Sequence, residues 1–242
     1  MSKILQDDWV SGTTQGFSFS GIRPEKLSAS EYTLATIVCD VTGSVASFES
    51  AIRDAVMNAI EACRRSPRAE NLLLRLVEFN TNVREKFGFK PLLDINPNDY
   101  KAPSCNGGTA LYDALYSSIE ASNQYAKTLS DQEFAVNSII FVITDGDDNA
   151  SRATVKMVKD ALLDGTTKEL LESNIVVLIG INAGSCSTYL NNLQQACGLT
   201  QYVDIQDADD RSLAKLASFI SRSISSQSQA LGSGGPSQAL VF

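Results

Sequence analysis

The chain contains no histidine. That removes the commonest general base and the commonest metal-binding side chain from any mechanism. It contains five cysteines, Cys39, Cys63, Cys105, Cys186 and Cys197, an odd number with no C-x-x-C pair. Scattered thiols without histidine exclude an ordinary zinc site. Cys39 lies in an apolar run and reads as a small core residue, and reduced thiols point to a cytoplasm-like compartment. Long apolar stretches are also lacking. The longest runs, such as Ile175–Ile181, are far too short to span a bilayer. The N-terminal MSKILQDDWVSGTTQGFSF lacks the apolar core of a signal peptide, so synthesis into the cytosol is expected. Positive charge is in deficit: 20 Lys and Arg against 28 Asp and Glu give a formal charge of −8. Phosphate backbones and anionic lipid surfaces repel such a chain, so neither a nucleic-acid partner nor membrane insertion is expected. Cations or basic surfaces suit it better, although solubility alone accounts for the same balance.

What is present is enough apolar material for a full core. Hydrophobic residues make up 43% of the 242 positions. Residues 1–31 read as an extended polar arm with a short strand at Gly16–Ser20. Residues 32–225 read as one domain, and 226–242 as a flexible Ser/Gly/Gln tail ending in Ala239-Leu240-Val241-Phe242. Within the domain, Thr33–Cys39 is a continuous β-branched run, the mark of a strand buried on both faces. Val45–Arg65 repeats apolar residues at helical spacing. Leu72–Phe79 and Val83–Leu92 read as a hairpin through Asn80–Asn82, and Asp94–Gly108 as a loop. Ala110–Lys127 is a helix, Ser138–Ile143 a strand, Arg152–Asp164 and Lys168–Glu172 helical, and Ile175–Ile181 a strand. Ser187–Cys197, Tyr202–Ile205 and Asp209–Ser225 complete the alternation as helix, strand and helix. No internal repeat is visible. The expected fold is α/β: a doubly wound, mostly parallel sheet of six strands with one antiparallel edge strand and helices on both faces. In such sheets ligands bind where loops leave the carboxyl ends of the strands.

Three polar segments fall at those ends. Asp40-Val41-Thr42-Gly43-Ser44 follows the first strand and sets one carboxylate and two hydroxyls at alternate positions. A turn at Gly43 lets all three point one way. Hard cations such as Mg²⁺ take oxygen ligands in octahedral geometry and keep several waters, which one or two carboxylates plus neutral hydroxyls satisfy. Equally, Thr42 or Ser44 can cap the following helix, with Asp40 favoured near its positive end. The second segment is Ser104-Cys105-Asn106-Gly107-Gly108-Thr109, in which Thr109 opens a helix and can be an ordinary N-cap. The third is Ile143-Thr144-Asp145-Gly146-Asp147-Asp148-Asn149, a carboxylate at a strand end, or an acidic turn.

In this order and spacing the three segments resemble the metal-ion-dependent adhesion site of von Willebrand factor A domains. That pattern is D-x-S-x-S after the first strand, a Thr in a later loop and an Asp after the fourth strand. Asp40, Thr42, Ser44, Thr109 and Asp145 match it, over a resemblance spanning about Thr33 to Ser225. The departure is Thr42 in place of Ser, which keeps the hydroxyl and adds a methyl. The resemblance implies direct metal contacts from Thr42 and Ser44, a state-dependent contact from Thr109, and Asp40 and Asp145 acting mostly through water. The implied cofactor is Mg²⁺, with Mn²⁺ or Ca²⁺ as alternatives. The implied activity is non-catalytic: a protein-binding module docking an Asp or Glu carboxylate of a partner on the ion, in an intracellular prokaryotic or viral protein.

Two other functions fit parts of the sequence. A Mg²⁺-dependent phosphohydrolase of the haloacid dehalogenase type would use Asp-x-Asp after the first strand, but Thr42 replaces the second Asp. No G-x-x-x-x-G-K-[ST] is present. A structural subunit of a phage or bacterial assembly, within a virion or intracellular complex, would use the terminal extensions to dock on neighbours. The run Arg64, Arg65 and Arg68 reads as a solvated helix end, Asp147 and Asp148 as solvated rim residues, and Cys105 as a thiol with no base to activate it. Trp9, Phe17 and Phe19 suggest that the arm packs on its own domain.

Overall fold

The computed structural model describes residues 8–96, 100–101 and 103–242. Residues 1–7 of the expected arm, and 97–99 and 102 of the expected loop, lie outside the described residues. The strands are β1 (Trp9–Thr14), β2 (Phe17–Ile22), β3 (Glu31–Asp40), β4 (Leu72–Phe79), β5 (Val83–Pro91), β6 (Ala135–Thr144), β7 (Asn174–Ile181) and β8 (Gln201–Ile205). The helices are α1 (Glu49–Arg64), α2 (Leu111–Ser130), α3 (Val155–Thr167), α4 (Ser187–Cys197) and α5 (Asp210–Ser233). One eight-stranded sheet runs β1-β2-β5-β4-β3-β6-β7-β8.

β3 lies centrally, parallel to β4 on one side and β6 on the other. β7 and β8 continue in parallel beyond β6. Alternate residues explain the apolar run of β3. Ala35, Ile37 and Cys39 face a core shared with α1 and α5, while Val38 faces the core under α2, α3 and α4. The chain leaves β3 through α1 to β4, then crosses back through α2 to β6 on the far side of β3. The direction of winding therefore reverses between β3 and β6. Their carboxyl ends, in register from Cys39 opposite Ile143, form the cleft such sheets use for ligands.

The sheet departs from the expected one in two respects. It has eight strands, not six, and the antiparallel strand β5 is not an edge: β2 pairs with it in parallel at Gly21 opposite Phe89. The segment expected to be mainly an extended arm is instead the β1–β2 hairpin, joined to the same sheet. Its local pattern is diluted by glycine and serine, and nonlocal contacts hold it. Arg75, fully buried on β4, pairs with Glu85 at 2.6 Å. Glu85 accepts from the Ser20 amide at 3.3 Å and from the Ser20 hydroxyl. The Tyr125 hydroxyl donates to the Ile22 carbonyl at 2.7 Å, and its ring stacks on Phe89 at 4.9 Å.

Gly88 permits this approach, because a Cβ there would lie 2.1 Å from the Ser20 carbonyl oxygen. Backbone cannot swing aside as a side-chain end can. Gly88→Ala is expected to cost about 1–3 kcal/mol, as overpacked sites do, and to loosen the hairpin. Hydrogen exchange should rise across residues 9–22 while β3 and β6 stay protected; unchanged exchange in β2 would contradict this.

Two further differences concern helices. Residues 168–172 are not helical; α3 stops at Thr167, and Glu169 takes a positive φ of 55°. The last helix runs to Ser233, beyond the expected end at Ser225. Its extra turns carry few large apolar residues, so the helical period fades from the sequence. Small Ser228 and bonded Gln227 are buried there instead, and the Gln227 carbonyl accepts from the Asn137 side chain at 2.9 Å. The terminal residues turn back along α5. Ser173 and Ser237 hydroxyls meet at 2.7 Å, and Gln227 donates to the Gln238 carbonyl at 2.9 Å. Phe242 packs edge-on against Phe219 at 5.4 Å, with the Lys215 ammonium 4.1 Å from its ring centroid. Leu240 and Phe242 thus pack on the domain's own core, whereas Val241 is exposed.

Candidate metal centre

The end of β3 places Asp40 in the interior, 3% exposed, and Thr42 beside it at 2%. The Val41 amide bonds the Phe79 carbonyl at the end of β4, which holds the chain as it leaves the sheet. Asp40 Oδ1 then accepts from the Thr42 amide at 2.8 Å, closing a tight turn. Gly43 sits in ordinary right-handed helical space (φ −62°, ψ −29°), so the turn does not draw on glycine's freedom. Ser44 is exposed. Its hydroxyl lies 3.0 Å from that of Thr42 and donates to Asp145 Oδ1 at 2.9 Å. Asp145, half-buried, comes from the end of β6. A chain of hydroxyls and carboxylates thus links Asp40, Thr42, Ser44 and Asp145 across the switch point.

The Thr109 backbone is tied to the loop that follows β6, and its own loop to the chain leaving β3. The Asn106 amide bonds the Val41 carbonyl at 3.0 Å, and the Ala110 amide bonds the Asn80 carbonyl at 2.8 Å. The Thr109 amide donates to Asn149 Oδ1 at 2.8 Å, and its carbonyl accepts from the Asn149 and Ala150 amides. The 104–109 and 145–150 loops are therefore clamped together, with buried Thr109 at the clamp.

α1 has Phe48 at its N-cap and α2 has Ala110, and neither has a side-chain cap. Thr42, Ser44 and Thr109 are not used as caps. The first turn of α2 is satisfied from the neighbouring loop: Asp148 Oδ1 accepts from the Tyr112 amide at 3.2 Å, and Ser151 Oγ from the Asp113 amide at 3.0 Å. Asp113 answers by accepting from the Arg152 and Ala153 amides at 3.0 and 2.7 Å. Asp148 is therefore half-buried and structural, not the solvated rim residue expected, whereas Asp147 is exposed.

Burial dominates the electrostatics. It pushes Asp40 up to about 6, against the lowering effect of bonds from Thr144 and Thr42. Asp145 is raised for the same first reason, with the Ser44 bond opposing. Among the described residues, no Lys or Arg forms an ion pair with either carboxylate. Two desolvated carboxylates without a protein cation, beside Thr42 and Ser44 hydroxyls bonded to each other and, from Ser44, to Asp145, suit a hard divalent ion. Among the described residues, no group of three or more His, Cys, Asp or Glu side chains is arranged to hold a metal. This donor set instead combines hydroxyls with two carboxylates, a mixture that leaves an ion electron-poor. Burial, with Glu49 and Asp40 nearby, pushes the Cys105 thiol up to about 11, which favours its protonated form.

Sequence reasoning missed two supporting residues. Thr144, buried, donates to Asp40 Oδ2 at 2.6 Å and accepts from the Gly146 amide at 3.3 Å. Its signal was a hydroxyl directly before Asp145. Asn149 holds Thr109, and nothing local in the sequence marks it for that task.

No family model and no curated protein sequence matches the chain. Solved structures do. The PilB minor pilin from Streptococcus sanguinis superposes with a TM-score of 0.56 at 15% identity, covering 94% of this chain and 68% of the pilin. Proximal thread matrix protein 1 from the mussel byssus, with a zinc-occupied MIDAS motif, gives 0.52 at 16%, covering 78% and 45%. The ArnB paralog VWA2 from Sulfolobus acidocaldarius gives 0.52 at 13%, covering 89% and 53%. The chain thus spans about half the length of the last two. At these identities the likeness shows the fold, a von Willebrand factor A-like α/β sheet of the Rossmann type. No helix among the described residues is long and apolar enough to cross a membrane.

Proposed function

We propose that this domain is a non-catalytic, metal-dependent protein-binding module. One observation carries the reading: Thr42 and Ser44 bridge from buried Asp40 to Asp145 at the switch point, and neither hydroxyl caps a helix. Asp40, Thr42, Ser44, Thr109 and Asp145 would hold a divalent ion, Mg²⁺ by preference, with Mn²⁺ and Ca²⁺ as alternatives. When bound, the ion supplies a Lewis-acidic point for an acidic group. Thr42 and Ser44 present lone pairs to it, and Thr144 holds the Asp40 carboxylate in place. The partner is a protein carrying an Asp or Glu carboxylate. The zinc-occupied motif of the byssus protein supports divalent binding in this fold generally.

Calorimetric titration of Mg²⁺ and Mn²⁺ into the full chain tests the reading. One saturable site is expected, with affinity at least tenfold weaker in Thr42→Val, which deletes a ligand oxygen and keeps the residue's volume. No heat from either metal, or equal affinity in Thr42→Val, would refute the assignment. Capture of a protein partner that chelator releases is the expected second result.

A further inference from the structure

We infer that the partner is read at two points, the second being a cleft that the N-terminal hairpin builds beside the metal centre. This rests on the metal-docking reading above and adds the chemistry of the partner segment. The cleft holds about 510 Å³ and is lined by Gln15, Gly16, Phe17, Thr81, Ala150 and Arg152 among others. Its position follows from strand direction. β5 starts beside the end of β4, and β2 is parallel to β5, so the β1–β2 turn stands at the same end of the sheet as Asp40. The hairpin thereby adds a wall to the ligand-binding end.

Cleft wall and candidate centre adjoin at the 108–109 and 149–150 backbone. Gly108 precedes Thr109, and its amide donates to Thr81 Oγ1 at 2.9 Å. A Cβ at Gly108 would lie 2.7 Å from Asn149 Oδ1, 3.4 Å from Ala150 and 3.7 Å from Thr81 Oγ1, so Gly108 packs tightly behind the Thr81 and Ala150 wall of the cleft. The Ala150 amide bonds the Thr109 carbonyl at 3.1 Å, so the cleft wall and the candidate centre share one loop junction.

Arg152 defines what the cleft takes. It is exposed, its backbone is anchored by Asp113, and its guanidinium has no ion pair or hydrogen bond among the described residues. The Asp113 carboxylate is buried and already accepts two backbone amides, from Arg152 and Ala153. In a chain of net charge −8, an unpaired arginine on a polar cleft next to a carboxylate-docking centre selects a second acidic side chain. The partner segment is thus an acidic peptide with two carboxylates, one for the ion and one for Arg152.

The test uses the full chain, saturating Mg²⁺ and fluorescent Gly/Ser peptides carrying one Glu, or two Glu at varied spacing, read by anisotropy. The best two-Glu peptide should bind about fivefold tighter than the one-Glu peptide, the upper range for an exposed ion pair. Arg152→Ala should erase that ratio, Arg152→Lys should keep part of it, and Mg²⁺ affinity should stay unchanged in both. A ratio that survives Arg152→Ala, or a best two-Glu peptide that binds no tighter than the one-Glu peptide, would overturn the two-point inference alone. Peptide binding indifferent to chelator, or no peptide binding at all by the Mg²⁺-loaded protein, would instead overturn the metal-docking reading beneath it.

Discussion

At a Mg²⁺ concentration a hundredfold above its dissociation constant, the wild-type protein should melt about 5–10 °C higher than in chelator. Binding to the native state alone contributes about 2.7 kcal/mol at that ratio. For a chain of this size each kcal/mol moves the midpoint by about 2–4 °C. Asp40→Asn should remove the gap from both sides. In Mg²⁺ it loses the charge that attracts the ion. In chelator it should be no less stable than wild type, because burial already disfavours the Asp40 carboxylate and pushes it up to about 6. Asn can still accept from the Thr42 amide, and the Thr144 hydroxyl can turn to accept from the new amide. Thermal scans of both proteins in Mg²⁺ and in chelator decide the matter. A variant much weaker than wild type in chelator would show that Asp40 serves the fold and not an ion.

Glu85→Ala should destabilise the protein by about 3–5 kcal/mol in urea unfolding, the usual cost of leaving a buried charge without its partner. Arg75 is fully buried, and Glu85 is the acid beside it, with the Phe89 ring 5.8 Å from the guanidinium carbon. Desolvation already lowers the Arg75 pKa, with Glu85 opposing. Removing Glu85 also strips Ser20 of its acceptor, so the β1–β2 hairpin should loosen together with the core. The double change Arg75→Met with Glu85→Leu should recover most of the loss, since an apolar pair of similar volume needs no compensation. Recovery in stability without recovery of hairpin protection would separate the charge effect from the Ser20 anchor. An effect below about 1 kcal/mol for Glu85→Ala would mean that solvent reaches Arg75 more freely than its burial implies.

The alternation of strands and helices from β3 to β8 was legible because both faces of the sheet are covered. Double coverage makes strands continuously apolar, and amphipathic helices repeat at their own period. The hydroxyls and carboxylates of Asp40, Thr42, Ser44 and Asp145 were legible too, because they directly follow such strands. The N-terminal hairpin was not legible as part of the sheet. Its place depends on Arg75, Glu85, Gly88 and Tyr125, which are distant in sequence and carry no local pattern. The far end of α5 escaped notice because buried Ser228 and Gln227 satisfy it, and small or polar residues leave no hydrophobic period.

The five residues of the candidate centre show the same division. Sequence alone determined which oxygen donors stand at the strand ends, since a strand's end and the residues after it are local facts. Only the tertiary structure decided what those donors are left to do. Thr42, Ser44 and Thr109 could each have capped a helix. That α1 and α2 are not capped by them, and that Asp148 and Ser151 serve α2 from another loop, depends on how the loops meet across the sheet. Hydrogen bonds between distant segments, not local propensity, join Ser44 to Asp145 and Thr144 to Asp40 at the switch point.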